Sequence, residues 1–506
     1  MIHSRLIKHG HHSDYTLSRP KLRQLARTGG LRVTSSSSTA KTEAYSLASE
    51  ESLIDWDEAR APIRRHLPAP VPVPAESSVV DAKDTVLKHM KMLGPRGNNA
   101  SVPLKQQPFV IFENVKNLMA DAQMLAERDV PKKLGLHVLR FNSGEASISE
   151  ARRDRLYWSN IPLPRSSEGT LIFSECSFLR DKPPFDPRTR LNCLTSKEGV
   201  TAMNSINVKL SALAVKNQAR GTHEPPILSQ KEWKDVKTCN LLFAIARSGG
   251  WRLRMLKVCE RCRIMGFPEN WCDHFSTTEA AKMLGQSFHV PTIMLLLSGM
   301  EKELRARIMA AENPLGTQSN PLVVLSFFDG IGGGWLALHQ CLEQWGLADI
   351  HIHYIAIEND AKCRNVLLQN FPPPAEVKTE HGAASYHLHQ HSDASAKEDF
   401  LGDIELLERA VVGDAARPQR EARPRYLRSK TGELARLDDT FLVFNGFPCI
   451  NVAGLNRAPG ENGRQRSMQE GQCGPQTGLY YKAENILGRI LQWQEEVARR
   501  GRAGQY

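Results

Sequence analysis

Four runs of apolar, β-branched and aromatic residues punctuate the chain, and each stops at a polar group. They are FVIF before Glu113, LVVLSFF before Asp329, IHYIAI before Glu358 and FLVF before Asn445. Unbroken apolar runs of this length suit strands buried on both faces, as in a parallel sheet. Elsewhere the spacing turns helical: Trp335, Leu338, Leu342 and Trp345 recur every three or four positions, and MEKELRARIMAAE (300–312) and YYKAENILGRILQWQEEV (480–497) repeat the pattern. The alternation predicts an α/β fold with a parallel sheet. In such sheets ligands bind beyond the carboxyl ends of the strands, so the four ends are expected to share one site.

LSFFDGIGGGWLALHQCLEQW is the most informative stretch. The strand runs into a turn holding Gly330, Gly332, Gly333 and Gly334, and a helix follows. Glycines let a ligand approach the backbone, and the helix start offers unpaired N–H groups. Glu358, ending the next strand, stands where an acid grips a ribose hydroxyl. A dinucleotide fingerprint asks for a further glycine where Trp335 stands. The turn therefore suits a nucleoside without phosphate, such as S-adenosyl-L-methionine; the alternative is a glycine turn that only packs helix on strand.

Composition narrows the class. The chain has 506 residues, a formal charge of +11 and ten cysteines. No apolar run approaches the roughly 18 residues of a membrane span, and the start lacks a secretory core. A soluble, reduced, intracellular protein is expected, with no membrane association and a polyanion as partner. The first 43 residues hold eight Lys or Arg before the second acidic residue, Glu43, together with the run SSSS. PAPVPVPA (68–75) reads as a polyproline-like linker. Residues 1–104 are expected to be a disordered basic, Pro- and Ser-rich tail, open to a protein partner; the start also suits an organelle transit segment.

With FFDGIGGG, FENV and the Pro-Cys pair at 448–449, the chain resembles the DNA cytosine-5 methyltransferases. ARRDRLYWSNIP (151–162) is similar to the family's arginine block, CERCRIMGFP (259–268) to its Glu-led helix ending in Gly-Phe-Pro, MLGQSFHVPTI (283–293) to the block covering the cofactor, and GDI (402–404) to its third cofactor strand. The order differs from most of the family: here the carboxylate, arginine, Gly-Phe-Pro and covering blocks come first, and the glycine loop and Pro-Cys follow. This order resembles the plant domains-rearranged methyltransferases, whose fold is circularly permuted. Termini of domains lie at the surface and often close together, which makes such a cut and rejoining feasible.

The resemblance implies a Rossmann-like S-adenosylmethionine-dependent methyltransferase sheet with a small target-recognition region. It divides the chain into the tail (1–104), a first catalytic part (105–162), target recognition (163–250), the Gly-Phe-Pro and covering blocks (251–312), the permutation linker (313–320), the cofactor and Pro-Cys part (321–498) and a short tail (499–506). The helix at 480–497 is expected beside the start of the FVIF strand.

It also implies roles. Cys449 would attack carbon 6 of a flipped cytosine, Glu113 would bond N3, and Arg153 and Arg155 would hold the cytosine carbonyl and steady Cys449 and Glu113. The methyl donor would lie against Phe328, Asp329, Gly330 and Gly332, with Glu358 on the ribose, Asp403 and Ile404 at the adenine, and Ser287 over the top. Double-stranded DNA is the implied partner and the nucleus the implied location, with a plastid or mitochondrion as the alternative. Residues 163–250 carry 13 basic and 8 acidic residues, which suits phosphate contacts. A catalytically silent DNA-binding module and a tRNA cytosine-5 methyltransferase remain as rivals. No metal is assigned: Cys259, Cys262, Cys272 and His274 have a zinc-like spacing but fall on the Gly-Phe-Pro helix and its continuation.

Overall fold

The four apolar runs share one sheet, although they are spread over more than three hundred residues of chain. The computed structural model describes residues 90–93, 107–115, 125–146, 148–163, 190–194, 200–220, 228–245, 251–370, 408, 411–412, 426–428, 434–446 and 475–503. The chain divides into two units, and the following refers to the second, Pro72–Ala244 with Trp251–Tyr506; of the first, Ile245 alone is described.

In chain order the elements are β1 (Lys91–Leu93), β2 (Phe109–Val115), α1 (Asp129–Leu134), β3 (His137–Asn142), β4 (Asp154–Ser159), α2 (Val200–Arg220), α3 (Gln230–Thr238), β5 (Leu242–Ile245), β6 (Trp251–Arg254), α4 (Val258–Met265), α5 (Thr277–Gln286), α6 (Val290–Leu297), α7 (Glu301–Ile308), β7 (Leu322–Phe327), α8 (Gly333–Gln344), β8 (Ile352–Ile357), α9 (Ala361–Asn370), β9 (Tyr426–Arg428), β10 (Leu434–Arg436), β11 (Thr440–Asn445) and α10 (Pro475–Ala503). The main sheet runs β1-β3-β4-β2-β11-β7-β8. β2, β11, β7 and β8 are mutually parallel, while β4 runs antiparallel to β2 and β3.

The four apolar runs are all strands of this sheet, and burial explains them. Every residue of β7 and β11 is buried, so neither face offers a solvent side and no alternation is needed. One face packs on Ile264, Leu284, Ile293, Leu304 and Leu338 from α4 to α8. The other packs on Val130 and Leu134 of α1 and on Ile486, Leu487, Ile490 and Trp493 of α10. The three-layer α/β/α arrangement follows.

The register brings the two ends of the sheet-forming chain together. β2, early in the chain, lies beside β11, late in the chain, with Leu442 opposite Phe109 and Asn445 opposite Phe112. The long helix expected at 480–497 covers this seam. Tyr480 meets Phe112 edge-on at 6.2 Å, and the Gln494 amide donates to Thr440 O at 3.0 Å. The segment expected to be the join is closed by hydrogen bonds: Leu315 N–H donates to Arg307 O and Gly316 N–H to Asn320 O.

Three boundaries differ from expectation. β2 continues through Glu113 to Val115, because β4 supplies an antiparallel partner as far as Arg155. Lys91–Leu93, expected within an unstructured tail ending at 104, pairs antiparallel with β3; the open edge of β3 provides the hydrogen-bonding groups that a short strand can take up. Of the stretch expected at 163–250, Met203, Ile206, Leu210, Val236, Leu241 and Phe243 form a small core together with Leu253 beyond it, and β5 pairs with β6 past residue 250. Other than residues 90–93, the expected tail up to residue 104, and with it the basis of the location and partner expectations, lies outside the described residues.

Candidate functional site

Alternation along β4 builds the first half of the site. Arg153 at the start of this strand, then Arg155 and Tyr157, project on one side, since successive strand residues face opposite ways. Tyr157 sits opposite Glu113 in the antiparallel pair, which makes Arg155 its diagonal neighbour. Long side chains on that diagonal meet: Arg155 Nε lies 3.0 Å from Glu113 Oε1, and Arg153 Nη2 lies 3.4 Å from the same oxygen. Glu113 and Arg153 are buried.

The two arginines are held from different directions. Arg153 donates from Nη1 to Gly285 O at 3.2 Å and from Nη2 to Ser287 O, while Asn142 Oδ1 accepts from its main-chain N–H at 3.1 Å. It therefore rivets β4 to the loop between α5 and α6. Arg155 donates to Asp154 O at 3.1 Å and to the Cys193 sulfur at 3.7 Å. Burial works against its charge, yet the charge of Glu113 and the Cys193 sulfur hold its pKa above the ordinary value. Beneath them, burial first and then Glu113 push the Tyr157 hydroxyl up, while Thr292 bonds it. Thr292 Oγ1 also lies 2.8 Å from Nδ1 of the buried His289. Burial, followed by the nearby Arg153, pushes His289 down to about 3, so this imidazole is neutral.

The second half lies at the ends of β7 and β8. Phe328 leaves the strand with φ +55, an uncommon conformation for a bulky side chain, and its N–H donates to Ile357 O at 2.8 Å. The chain then turns through Gly330 (φ +62) and Gly332 (φ +82) into α8. Trp271 Nε1 fixes the turn by donating to Ile331 O at 2.9 Å. Asp329 is buried; its Oδ1 accepts from Ser326 Oγ and Tyr354 OH, and burial pushes its carboxyl up to about 6 against those bonds. Glu358 accepts the Gly330 and Asp360 N–H groups at 2.8 and 2.7 Å, and burial raises it above the usual carboxylate range.

These residues fit a ligand rich in hydrogen-bond donors. Asp329 Oδ2 is buried and has no partner among the described residues. A Cβ built on Gly330 would meet nothing within 4 Å, so the turn borders open space. Ser287 caps the C-terminus of α5 and is buried; its hydroxyl donates to a backbone carbonyl, at 2.9 Å to Leu284 O or 3.3 Å to Phe288 O.

Of the residues expected at the site, Glu113, Arg153, Arg155 and Ser287 are brought together, and Phe328, Asp329, Gly330, Gly332 and Glu358 form the glycine-turn half. Cys449, Asp403 and Ile404 lie outside the described residues. Asn445, whose partner in β2 is Phe112, ends the last described strand four positions before Cys449. Cys262 and Cys272 are buried in the core, where their thiols hydrogen-bond. Sequence reasoning missed Asn142, Tyr157, His289, Thr292 and Cys193. The strand alternation RDRLY carried a signal for Tyr157; the others depend on tertiary contacts with no local pattern.

Residues 194–302 match the model of the C-5 cytosine-specific DNA methylase family. The chain is 35% identical over 309 residues to the DNA (cytosine-5)-methyltransferase DRM2 of Arabidopsis thaliana, covering 60% of this chain and 37% of that protein. It is 33% identical over 250 residues to the DNA (cytosine-5)-methyltransferase DRM1 of Arabidopsis thaliana, covering 46% and 34%. The DNA (cytosine-5)-methyltransferase DRM2 of Oryza sativa subsp. japonica is 24% identical over 349 residues, covering 67% and 45%. The chain thus spans between about a third and a half of the length of the curated relatives it matches.

Proposed function

We propose that this chain, a member of the C-5 cytosine-specific DNA methylase family with its blocks in permuted order, methylates carbon 5 of cytosine in DNA, using S-adenosyl-L-methionine. The observation that carries the reading is the buried cluster of Glu113 with Arg153 and Arg155 on β2 and β4, next to the strand that leads to Cys449.

S-adenosyl-L-methionine supplies an electrophilic methyl group when bound. Asp329, Gly330 and Glu358 would hold it: the unpartnered Asp329 oxygen and the acid at the end of β8 suit its amino and hydroxyl donors. Asp403, Ile404, Phe328, Gly332 and Ser287 complete that half of the reading. Cytosine carbon 5 is a weak nucleophile, and the proposed role of Cys449 is to make it a strong one. The thiolate forms a bond to carbon 6, which raises electron density at carbon 5. Glu113 bonds N3 as negative charge develops there. Arg155 is the better placed of the two arginines for the cytosine carbonyl, because its side chain keeps 12% exposure against 4% for Arg153, which is held by the Gly285 and Ser287 carbonyls. After methyl transfer the carbon 5 proton leaves, the sulfur–carbon bond breaks and the thiolate is regenerated.

A base inside a duplex is out of reach of these groups and must be flipped out at a cost of a few kcal/mol. The basic region from α2 to β6 is proposed to offset that cost through phosphate contacts. No hemimethylated template is required in this reading, which makes the enzyme a de novo type acting in the nucleus.

The test uses the full chain with S-adenosyl-L-methionine and duplex DNA carrying 5-fluorocytosine, which blocks loss of the group at carbon 5. A denaturation-resistant adduct should form with the wild type and vanish in Cys449→Ser. No adduct on DNA overturns the reading; an adduct on tRNA alone moves the substrate to RNA.

A further inference from the structure

One segment, 190–194, links the recognition region to the arginine block, and its residues alternate in what they touch. Leu191 and Leu194 are buried in the main core. The Leu191 N–H donates to Glu150 O at 2.8 Å and its carbonyl accepts from Arg152 N–H at 2.9 Å, forming a parallel bridge to Ala151. Asn192 and Cys193, between the two leucines, turn elsewhere. Asn192 belongs to α3: its N–H donates to Asn240 Oδ1 at 2.8 Å and its amide to Lys237 O at 2.7 Å. Asn240 Nδ2 returns hydrogen bonds to the carbonyls of Asn192 at 3.1 Å and Cys193 at 3.5 Å. The Cys193 sulfur receives Arg155 Nη2 at 3.7 Å. Contacts therefore run without a break from the end of α3 through Asn240, Cys193 and Arg155 to Glu113.

Asn240 is an unusual choice for its place. It follows α3 in the left-handed conformation (φ +51), with its N–H on Lys237 O and the Leu241 N–H on Val236 O. Glycine is the ordinary residue there and would close the helix equally well. What glycine lacks is the side-chain amide, which is buried here and makes three bonds to the 192–193 backbone. Helix α3 shows the other end of the link to solvent. Lys231, Trp233, Lys234 and Lys237 line a cavity of about 730 Å³ that reaches Asn192. The three lysines are the side chains a phosphate backbone would engage.

We propose that Asn240 is a positioning residue: it ties α3 to the Asn192–Cys193 strap and, through Cys193, sets the guanidinium of Arg155 against Glu113. DNA gripped at α3 is thereby coupled to the base pocket. This rests on the reading above that Glu113 and Arg155 act on the cytosine.

Asn240→Gly deletes the amide while keeping the left-handed turn free of strain. The test compares the full-length wild type, Asn240→Gly, Cys193→Ala and the double variant in single-turnover adduct formation on 5-fluorocytosine duplex DNA. Each single variant should slow adduct formation about tenfold, the size of one hydrogen bond to a charged group. The double variant should be no slower than the slower single, because both changes cut one line of contacts. Affinity for duplex lacking the target should stay within about twofold, and Cys193→Ser, which keeps an acceptor, should recover most of the Cys193→Ala loss. A second readout needs neither DNA nor cofactor: iodoacetamide alkylation of Cys193, followed by mass spectrometry of its peptide, should speed up in Asn240→Gly. Effects that multiply in the double variant, or an unchanged alkylation rate, overturn the proposal. A wild type that forms no adduct while alkylation still accelerates keeps the mechanical link and sinks the functional reading instead.

Discussion

Replacing Arg153 with methionine tests the centre of the site. Methionine keeps the length and apolar bulk but removes every donor. Three acceptors lose a partner: the carbonyls of Gly285 and Ser287 and the carboxylate of Glu113. A buried acceptor left without a donor costs about 1–3 kcal/mol. Glu113 keeps Arg155 at 3.0 Å, so the larger cost of an unpaired buried carboxylate, about 3–5 kcal/mol, is not incurred. The expected loss is about 2–4 kcal/mol, a large share of the roughly 5–15 kcal/mol that holds a domain together. Urea unfolding of the full chain, followed by tryptophan fluorescence, reads it as a lower midpoint. Arg153→Lys should recover little, since one ammonium cannot reproduce the planar fork that spans the carbonyls and the carboxylate. In the double variant with Glu113→Gln the two losses should fall short of additive by roughly 1 kcal/mol or more. A loss below about 1 kcal/mol for Arg153→Met would mean that these contacts do not carry the link between β4 and the α5–α6 loop.

Three further outcomes follow from the glycine-turn half. Asp329 binds its proton more tightly folded than unfolded, with a pKa raised to about 6; native stability should therefore fall as pH rises between about 4 and 6, by up to about 3 kcal/mol. Urea titrations across that window should show the slope in the wild type and lose it in Asp329→Asn. Trp271→Phe removes the donor to Ile331 O, and S-adenosyl-L-homocysteine should bind at least about fivefold more weakly by calorimetry, given the roughly 1–3 kcal/mol at stake; unchanged binding would show that the indole does not fix the turn. Gly334→Ala places a methyl 3.0 Å from the buried Phe444 ring; overpacking of about 1–3 kcal/mol against about 1 kcal/mol of helix propensity gained should leave a net loss of up to about 2 kcal/mol, readable in the same urea assay, and a stabilised variant would show that the ring yields.

The central strands were legible because burial on both faces leaves an unmistakable apolar run. FLVF has no solvent face to interrupt it and IHYIAI is broken only at the half-buried His353, and the polar residue that ends each run marks the sheet edge where a site forms. The pairing of Glu113 with Arg155 was legible only through the family resemblance, since it needs two strands to be neighbours. What stayed hidden shares a physical cause. Arg153 is gripped by the carbonyls of Gly285 and Ser287, and Asn192 by that of Lys237. Every residue carries a carbonyl, so an acceptor of that kind leaves no mark in the amino-acid pattern. β1 was hidden for another reason: three residues are too few for a period, and the open edge of β3 rather than local propensity draws them in.

The sheet order also says how the two halves of the site are joined. β1, β3, β4 and β2 form an antiparallel group from the first part of the chain, and β7 and β8 form a parallel pair from a later part. Among the described strands only β11 joins them in the sheet, with β2 on one side and β7 on the other. Within the sheet, Glu113 and Asp329 therefore belong to strand groups that meet through β11. Until β11 pairs, the apolar edge of β2 is unpaired, the kind of edge that invites association between chains. The pairing of β2 with β11 closes a loop of more than three hundred residues, and such long-range contacts form late. The pairing of β2 with β11 is the most distant in sequence among the described strands, and the strand that leads to Cys449 is the piece that joins the carboxylate half to the glycine-turn half within the sheet.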